Sequence, residues 1–377
     1  MAHSSIPTVD LSPFIGGNDE NGKREAIKVI GEACSEYGFF QIVNHGVPLD
    51  LLTKAFELSK TFFEYPDEEK RKSSPNPEAP LPTGYSRQPE HSADKNEYFL
   101  MFPPSSNFNV YPPNPPQFRE VLEEAFSYLR KTGLIIESIL NECLGLPPNF
   151  LQEFNHDRGW DFMVALRYFP ASETENNGLT EHEDGNCITF VFQDDAGGLE
   201  VRKDGEWIPA TPSKGTIVVN VGDVIQVLSN NKFKSATHRV VRPKDRSRYS
   251  FAFFHNLHGD KWVEPLPQFT TEVGEAPKYR GFLYKEYQAL RMRNKTHPPS
   301  RPEDVIHITH YLINSRLPIY ECLEQNALPH SPALKYLGCT NILAVVENHL
   351  LADRSQWAAN LNSVMPADDH PSSVGPC

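Results

Sequence analysis

Apolar residues recur at helical spacing in three early stretches of the chain. In residues 23–37, Ile27, Val29, Ile30 and Cys34 lie on or near one stripe, and Gly38 supplies a left-handed stop. Residues 48–65 carry Leu51, Leu52, Ala55, Phe56, Leu58, Phe62 and Phe63 and predict a second amphipathic helix. Residues 116–146 predict one long helix, buried along Phe118, Val121, Leu122, Ala125, Leu129, Leu134, Ile139 and Leu140 and ended by Pro147 and Pro148. Short strands are expected at 6–11 and 39–43. Residues 66–116 are rich in proline and aromatics and show no period, which predicts a mostly irregular stretch, either an ordered flap that packs on the rest of the chain or a surface meander held by its own rings.

From Trp160 the period changes from helical to strand-like. Short β-branched or aromatic runs at 162–169, 187–192, 199–203, 206–208, 216–221, 224–228, 238–241 and 249–254 read as strands. Turn residues such as Gly197-Gly198, Asp204-Gly205 and Asn230-Asn231 separate most of them. Evenly spaced short strands of this kind predict a double-stranded β-helix, or jelly roll. The expected class is α+β, with the long helix packed outside the barrel. The expected division is 1–115 (helices, strand and Pro-rich loop), 116–159 (long helix and connector), 160–260 (jelly-roll core), 261–313 (helical and extended region) and 314–377 (tail). Within the tail, 342–361 has helical spacing and 366–377 reads as disordered.

Composition narrows the function classes. A hydrophobic content of 39% and a charged content of 23% describe a globular chain. The net charge of −13 gives no basic footprint for nucleic acid. No apolar run approaches the roughly 18 residues of a membrane span. The six cysteines show no paired spacing, and the polar start shows no signal peptide, so reduced thiols in a cytoplasmic monomer are expected.

The candidate chemistry lies in the strand-rich part. His182 and Asp184 are two apart, so on an extended strand both would point to one side. His238 opens another β-branched run and offers a second imidazole. Two histidines and one carboxylate on one side of a metal, with the other positions open, match a non-haem Fe(II) centre. Arg248 and Ser250, again two apart, suit a carboxylate held in one orientation. Phe254 is in phase with them and should face the same cavity. No catalytic side chain beyond the metal centre is expected.

These motifs, His182-x-Asp184, His238 and Arg248-x-Ser250, resemble those of the iron- and 2-oxoglutarate-dependent dioxygenases. The plant branch with flavonol synthase, anthocyanidin synthase and gibberellin oxidases is the most similar. The opening Ile6-Pro-Thr-Val-Asp-Leu11, the run Gly38-Phe-Phe-Gln-Ile-Val-Asn-His-Gly46 and residues 215–230 extend the likeness, which runs from about 6 to about 310. The resemblance implies Fe(II), 2-oxoglutarate, O2 and ascorbate as cofactors and co-substrates. It implies oxidation of a small-molecule metabolite by hydroxylation, desaturation or demethylation, with release of succinate and CO2. Arg248 and Ser250 would then hold the far carboxylate of 2-oxoglutarate. Some same-fold oxidases keep Arg-x-Ser but do not use 2-oxoglutarate. A non-catalytic jelly-roll binding module or a structural protein would not need both motifs.

Several residues have two readings. The family's co-substrate tyrosine falls at Tyr168 or Phe169 of Arg167-Tyr-Phe-Pro170, and the sequence leaves the choice open. Alternation puts Arg167 on the face that lines the cavity in the family. Its anionic partner would be a protein carboxylate, Glu181 and Glu183 among them, or a substrate carboxylate. His45 reads as a turn histidine, His255 and His258 as exposed turn histidines, and Cys187 as a small buried hydrophobe.

Overall fold

In the computed structural model the described residues are 5–17, 19–75, 83–107, 109–296 and 305–313. The expectations for 314–377 lie outside them. The N-terminal part contributes strand β1 (Thr8–Asp10), helix α1 (Glu20–Glu36), β2 (Phe39–Val43), α2 (Leu49–Glu64) and α3 (Asp67–Arg71). After these come β3 (Gly84–Arg87), β4 (Asn96–Met101), the long α4 (Phe118–Cys143) and α5 (Phe150–Phe154). The strand-rich part holds β5 (Phe162–Tyr168), β6 (Asn177–His182), β7 (Ile188–Gln193), β8 (Leu199–Lys203), β9 (Glu206–Pro209) and β10 (Ile217–Val221). It ends with α6 (Asp223–Leu228), β11 (His238–Val241) and β12 (Arg248–His255). A short pair, β13 (Trp262–Val263) and β14 (Phe282–Leu283), precedes α7 (Tyr284–Thr296).

Two sheets enclose the barrel. The major one runs β1-β2-β10-β7-β12-β5-β4-β3 and the minor one β6-β11-β8-β9. The outer face of the major sheet packs on α1, α2 and α4 through a large apolar core. Phe126 of α4 meets Phe253 edge-on at 5.1 Å, and Phe56 of α2 meets Phe251 at 5.0 Å. Each such ring contributes roughly 1.5–3 kcal/mol by burial. A smaller cluster, including Phe39, Tyr168, Leu199, Val201 and Val218, fills the space between the sheets.

Three expectations change. Residues 224–228 form a helix, not a strand: every residue of α6 is buried, so the run carries no amphipathic period to separate the two. Asn230 and Asn231 take positive φ and turn the chain after it. The proline-rich flap contains β3 and β4, which extend the major sheet beside β5. The strand at 177–182 is absent from the expected set, since Gly178 and Thr180-Glu181 weaken its pattern.

Strand β4 also brings a carboxylate into the core. Glu97 is fully buried and accepts from Lys70 Nζ (2.8 Å), Tyr85 Oη (2.7 Å) and Arg167 Nη1 (3.1 Å). Removing this one acceptor would take the fully buried anion from Lys70, which keeps only the exposed Asp67 (3.1 Å), and from the partly buried Arg167. Glu97→Ala is therefore expected to cost about 3–5 kcal/mol, read as a drop in thermal midpoint. Arg167→Met should destabilise in the same direction, and a thermal midpoint equal to wild type would contradict a packing role for Arg167.

Candidate metal and co-substrate site

Strands β6 and β11 are neighbours in the minor sheet, and their register sets His238 directly opposite His182. The two imidazoles lie on one face with centroids 4.3 Å apart. Asp184 sits just past the end of β6, not on the strand, and turns its carboxylate toward both rings. Its Oδ1 is 3.6 Å from His182 Nε2 and 3.7 Å from His238 Nε2. One ligand atom from each of the three lies within 4.8 Å of the others.

The surroundings fix the direction of each donor. His182 Nδ1 bonds Thr180 O at 2.8 Å, and His238 Nδ1 bonds Ala236 O at 3.0 Å. A carbonyl only accepts, so each Nδ1 carries a proton and each Nε2 is the ring nitrogen turned toward a metal. Asp184 Oδ2 is occupied by donors from the major sheet, Thr189 Oγ1 at 2.6 Å and Asn220 Nδ2 at 2.9 Å. That leaves Oδ1 facing the imidazoles. Burial pushes the Asp184 pKa up, but the rings of His238 and His182 and the two hydrogen bonds outweigh it and hold it well below the usual carboxylate range. Two imidazoles and an ionised carboxylate grouped on one side suit Fe(II). Gly222 closes the site from below: a Cβ there would lie 2.2 Å from Asn186 O and 2.8 Å from Asp184 O.

Arg248 and Ser250 project from β12 into the same interior. Arg248 is fully buried, and its Nε donates to Gly197 O, Nη1 to Ser250 Oγ (3.1 Å) and Nη2 to Gln193 Oε1 (2.9 Å). Among the described residues it forms no ion pair; Asp194 acts on it only from further away. Burial lowers its pKa from the ordinary value. A buried cation without an anion is costly, and a carboxylate ligand would relieve that cost. This is the observation that fits the site to 2-oxoglutarate.

Register also decides between Tyr168 and Phe169. Arg248 pairs with Tyr168, Ser250 with Leu166 and Phe254 with Phe162, so these side chains share the inner face. The Arg248 guanidinium lies 4.8 Å over the Tyr168 ring. Phe169 points the other way, beneath Arg87 at 4.6 Å. Arg167 is also on the outer face, opposite Tyr249, and does not line the cavity as expected. It donates to Phe63 O (2.8 Å) as well as to Glu97. Its partner is a protein carboxylate, though neither Glu181 nor Glu183.

Phe254 does face inward. Its cross-strand neighbour is Thr189, the residue that bonds Asp184, which places the ring next to the cluster of His182, Asp184 and His238. Phe162 stacks on it at 4.4 Å. Both rings are half-buried, as are Tyr98 and Leu166 on the same face. His255 departs from expectation: it is the last residue of β12, on the outer side of its alternation, and is fully buried against α4. Its Nε2 is 3.5 Å from Glu137 Oε1. His258 is partly exposed and pairs with Asp157 at 3.4 Å. His45 takes the turn role, accepting from Val47 N at 3.2 Å, and Cys187 is buried.

The residues that sequence reasoning missed orient the others. Thr189, Gln193 and Asn220 alternate on inner faces of β7 and β10, and a polar side chain at such a position in an apolar run is the available signal. No helix among the described residues is long and apolar enough to cross a membrane.

Known proteins agree with this geometry. Residues 160–257 match the family model of the 2OG-Fe(II) oxygenase superfamily, and residues 6–121 match that of the non-haem dioxygenase in morphine synthesis N-terminal region. The chain is 35% identical to jasmonate-induced oxygenase 1 of Arabidopsis thaliana, over 76% of this chain and 72% of that protein. It is 34% identical to a flavonol synthase/flavanone 3-hydroxylase of Matthiola incana, over 75% of this chain and 96% of that protein. The crystal structure of JOX2 in complex with 2OG, Fe and JA superposes with a TM-score of 0.70 at 29% identity, covering 82% of this chain and 89% of that one. The crystal structure of the dioxygenase for auxin oxidation in rice gives 0.65 at 26% identity, covering 77% and 96%. With its paired imidazoles, its buried unmet arginine and relatives that span most of its length, the chain belongs to the 2OG-Fe(II) oxygenase superfamily and is an Fe(II)- and 2-oxoglutarate-dependent dioxygenase.

Proposed function

We propose that His182, Asp184 and His238 hold Fe(II), that Arg248 and Ser250 hold the far carboxylate of 2-oxoglutarate, and that the substrate is a small ring-bearing metabolite lying against Phe254. When bound, Fe(II) with 2-oxoglutarate and O2 supplies the oxidising chemistry, releasing succinate and CO2, with ascorbate as reductant. The protein's part is to aim and to exclude water. Thr180 O and Ala236 O hold both rings by Nδ1 and turn each Nε2 toward the centre, and Thr189 with Asn220 presents one oxygen of Asp184. Arg248, set over Tyr168 and bonded to Ser250, waits with its charge uncompensated for the co-substrate.

The unmet Arg248 carries this reading most directly, because the far carboxylate of 2-oxoglutarate would compensate its buried charge; same-fold oxidases keep this arginine too, so the requirement for 2-oxoglutarate is what separates them. The names of the relatives, jasmonate-induced oxygenase and flavonol synthase among them, support a plant metabolite as substrate. So does the inner face of Tyr98, Phe162, Leu166 and Phe254, which is aromatic and uncharged. Residues 160–260 serve as the catalytic core, with 1–115, 116–159 and 261–313 supporting it. The working form is a cytoplasmic monomer.

The test is a small-molecule panel scored by succinate release with Fe(II), ascorbate and 2-oxoglutarate. Turnover without any 2-oxoglutarate requirement would overturn the proposal. Once a substrate is found, Phe254→Ala is expected to raise its KM about tenfold, the value of a lost aromatic contact. The KM for 2-oxoglutarate should stay within about twofold of wild type on the same grounds. Equal loss on both would place Phe254 in packing alone.

A further inference from the structure

The loop that carries the carboxylate ligand is held from a distant part of the chain. Helix α7 crosses it and reaches two of its carbonyls one turn apart. Arg291 donates through Nη2 to Glu183 O, and Gln288 donates through Nε2 to Gly185 O at 3.3 Å. The two donors are three residues apart, the spacing that puts helical side chains on one face. The other arm of the Arg291 fork donates to Ile306 O at 2.9 Å and so ties the helix to the segment at 305–313. Gly185 lets the two surfaces meet: a Cβ there would lie 3.3 Å from Arg291 Cγ.

The side chain of Glu183 completes the arrangement. It lies between the two ligand residues His182 and Asp184 in sequence. Its Oε1 accepts from Thr237 Oγ1 at 2.6 Å, immediately before His238, and its Oε2 from His307 Nδ1 at 2.9 Å. One carboxylate thus joins all three ligand positions to the C-terminal segment.

We propose that Arg291, with Gln288 and His307, is a positioning residue for the metal centre, fixing the 182–185 loop so that Asp184 meets the two imidazoles at coordinating distance. The proposal rests on His182, Asp184 and His238 being the ligand set. Arg291 acts through backbone carbonyls, so its loss should leave the ligands present and loosen their geometry. Removing groups that orient metal ligands costs about 10–100-fold in metal affinity. Lysine at 291 keeps one donor but cannot bridge Glu183 O and Ile306 O together, and should recover only part of the loss.

The experiment uses the full chain and Co(II) as probe, titrated by absorbance well below the thermal midpoint of each apo-protein. Arg291→Met is expected to weaken Co(II) binding about tenfold or more, with Arg291→Lys intermediate. Co(II) affinity within about twofold of wild type in Arg291→Met would overturn the proposal, even with a lower midpoint, because that pattern belongs to a structural tether. If Arg291→Met does not fold, Gln288→Leu is read in its place: a several-fold weaker affinity supports the proposal and an unchanged one overturns it. Asp184→Ala separates the two levels. Wild-type Co(II) affinity in that variant would remove the ligand assignment, and this inference with it.

Discussion

Replacement of His182, Asp184 or His238 by alanine is expected to abolish Fe(II)-dependent succinate release while leaving the fold in place. The expectation for Asp184 is the sharpest. It supplies the only carboxylate of the cluster, and without it two imidazoles must hold a divalent ion alone. Metal affinity should fall by more than about a hundredfold, beyond the range seen when only an orienting group is lost. The structural cost is smaller. Thr189 and Asn220 lose their acceptor, an effect of about 1–3 kcal/mol for the unmet donors. A thermal melt, a Co(II) titration and a succinate assay on each variant check the three statements together. Retained turnover in any one of them, with iron still bound, would sink the ligand assignment.

Arg248→Lys is expected to raise the half-saturation for 2-oxoglutarate by about 10–100-fold, with the thermal midpoint also lowered. Lysine keeps the charge, yet it cannot span Gly197 O, Ser250 Oγ and Gln193 Oε1 as the guanidinium does. One charge-assisted hydrogen bond is worth about 1.5–3 kcal/mol, which is the source of the expected range. Saturation curves for 2-oxoglutarate at fixed substrate measure it. An unchanged half-saturation would assign Arg248 to substrate or to structure and reopen the oxidase reading.

Most of this site is legible because it is written locally. His182-x-Asp184 and Arg248-x-Ser250 are each two residues apart, and His238 opens an evident β-branched run. Strand position alone decides where such pairs point. Expectation fails where placement depends on pairing between distant segments. Analogy sets Arg167 on the cavity face, whereas the register of β5 against β12 turns it outward to Glu97, 70 residues away in sequence. Glu97 itself lies in a stretch without period, where nothing signals that an eight-stranded sheet will extend through it. His255 reads as exposed only if β12 ends one residue earlier than it does. The run 224–228 is buried all round, and full burial erases the period that separates helix from strand. The tie from Arg291 to Glu183 spans 108 residues and has no local signature at all.

The division of labour between the sheets has a mechanical consequence. Both imidazoles belong to the thin minor sheet, while the donors that steer Asp184 belong to the broad major sheet backed by helices. A metal held by all three would therefore be a rivet across the seam of the barrel, joining the four-stranded sheet to the eight-stranded one. Loading it would damp the opening and closing of the two layers against each other.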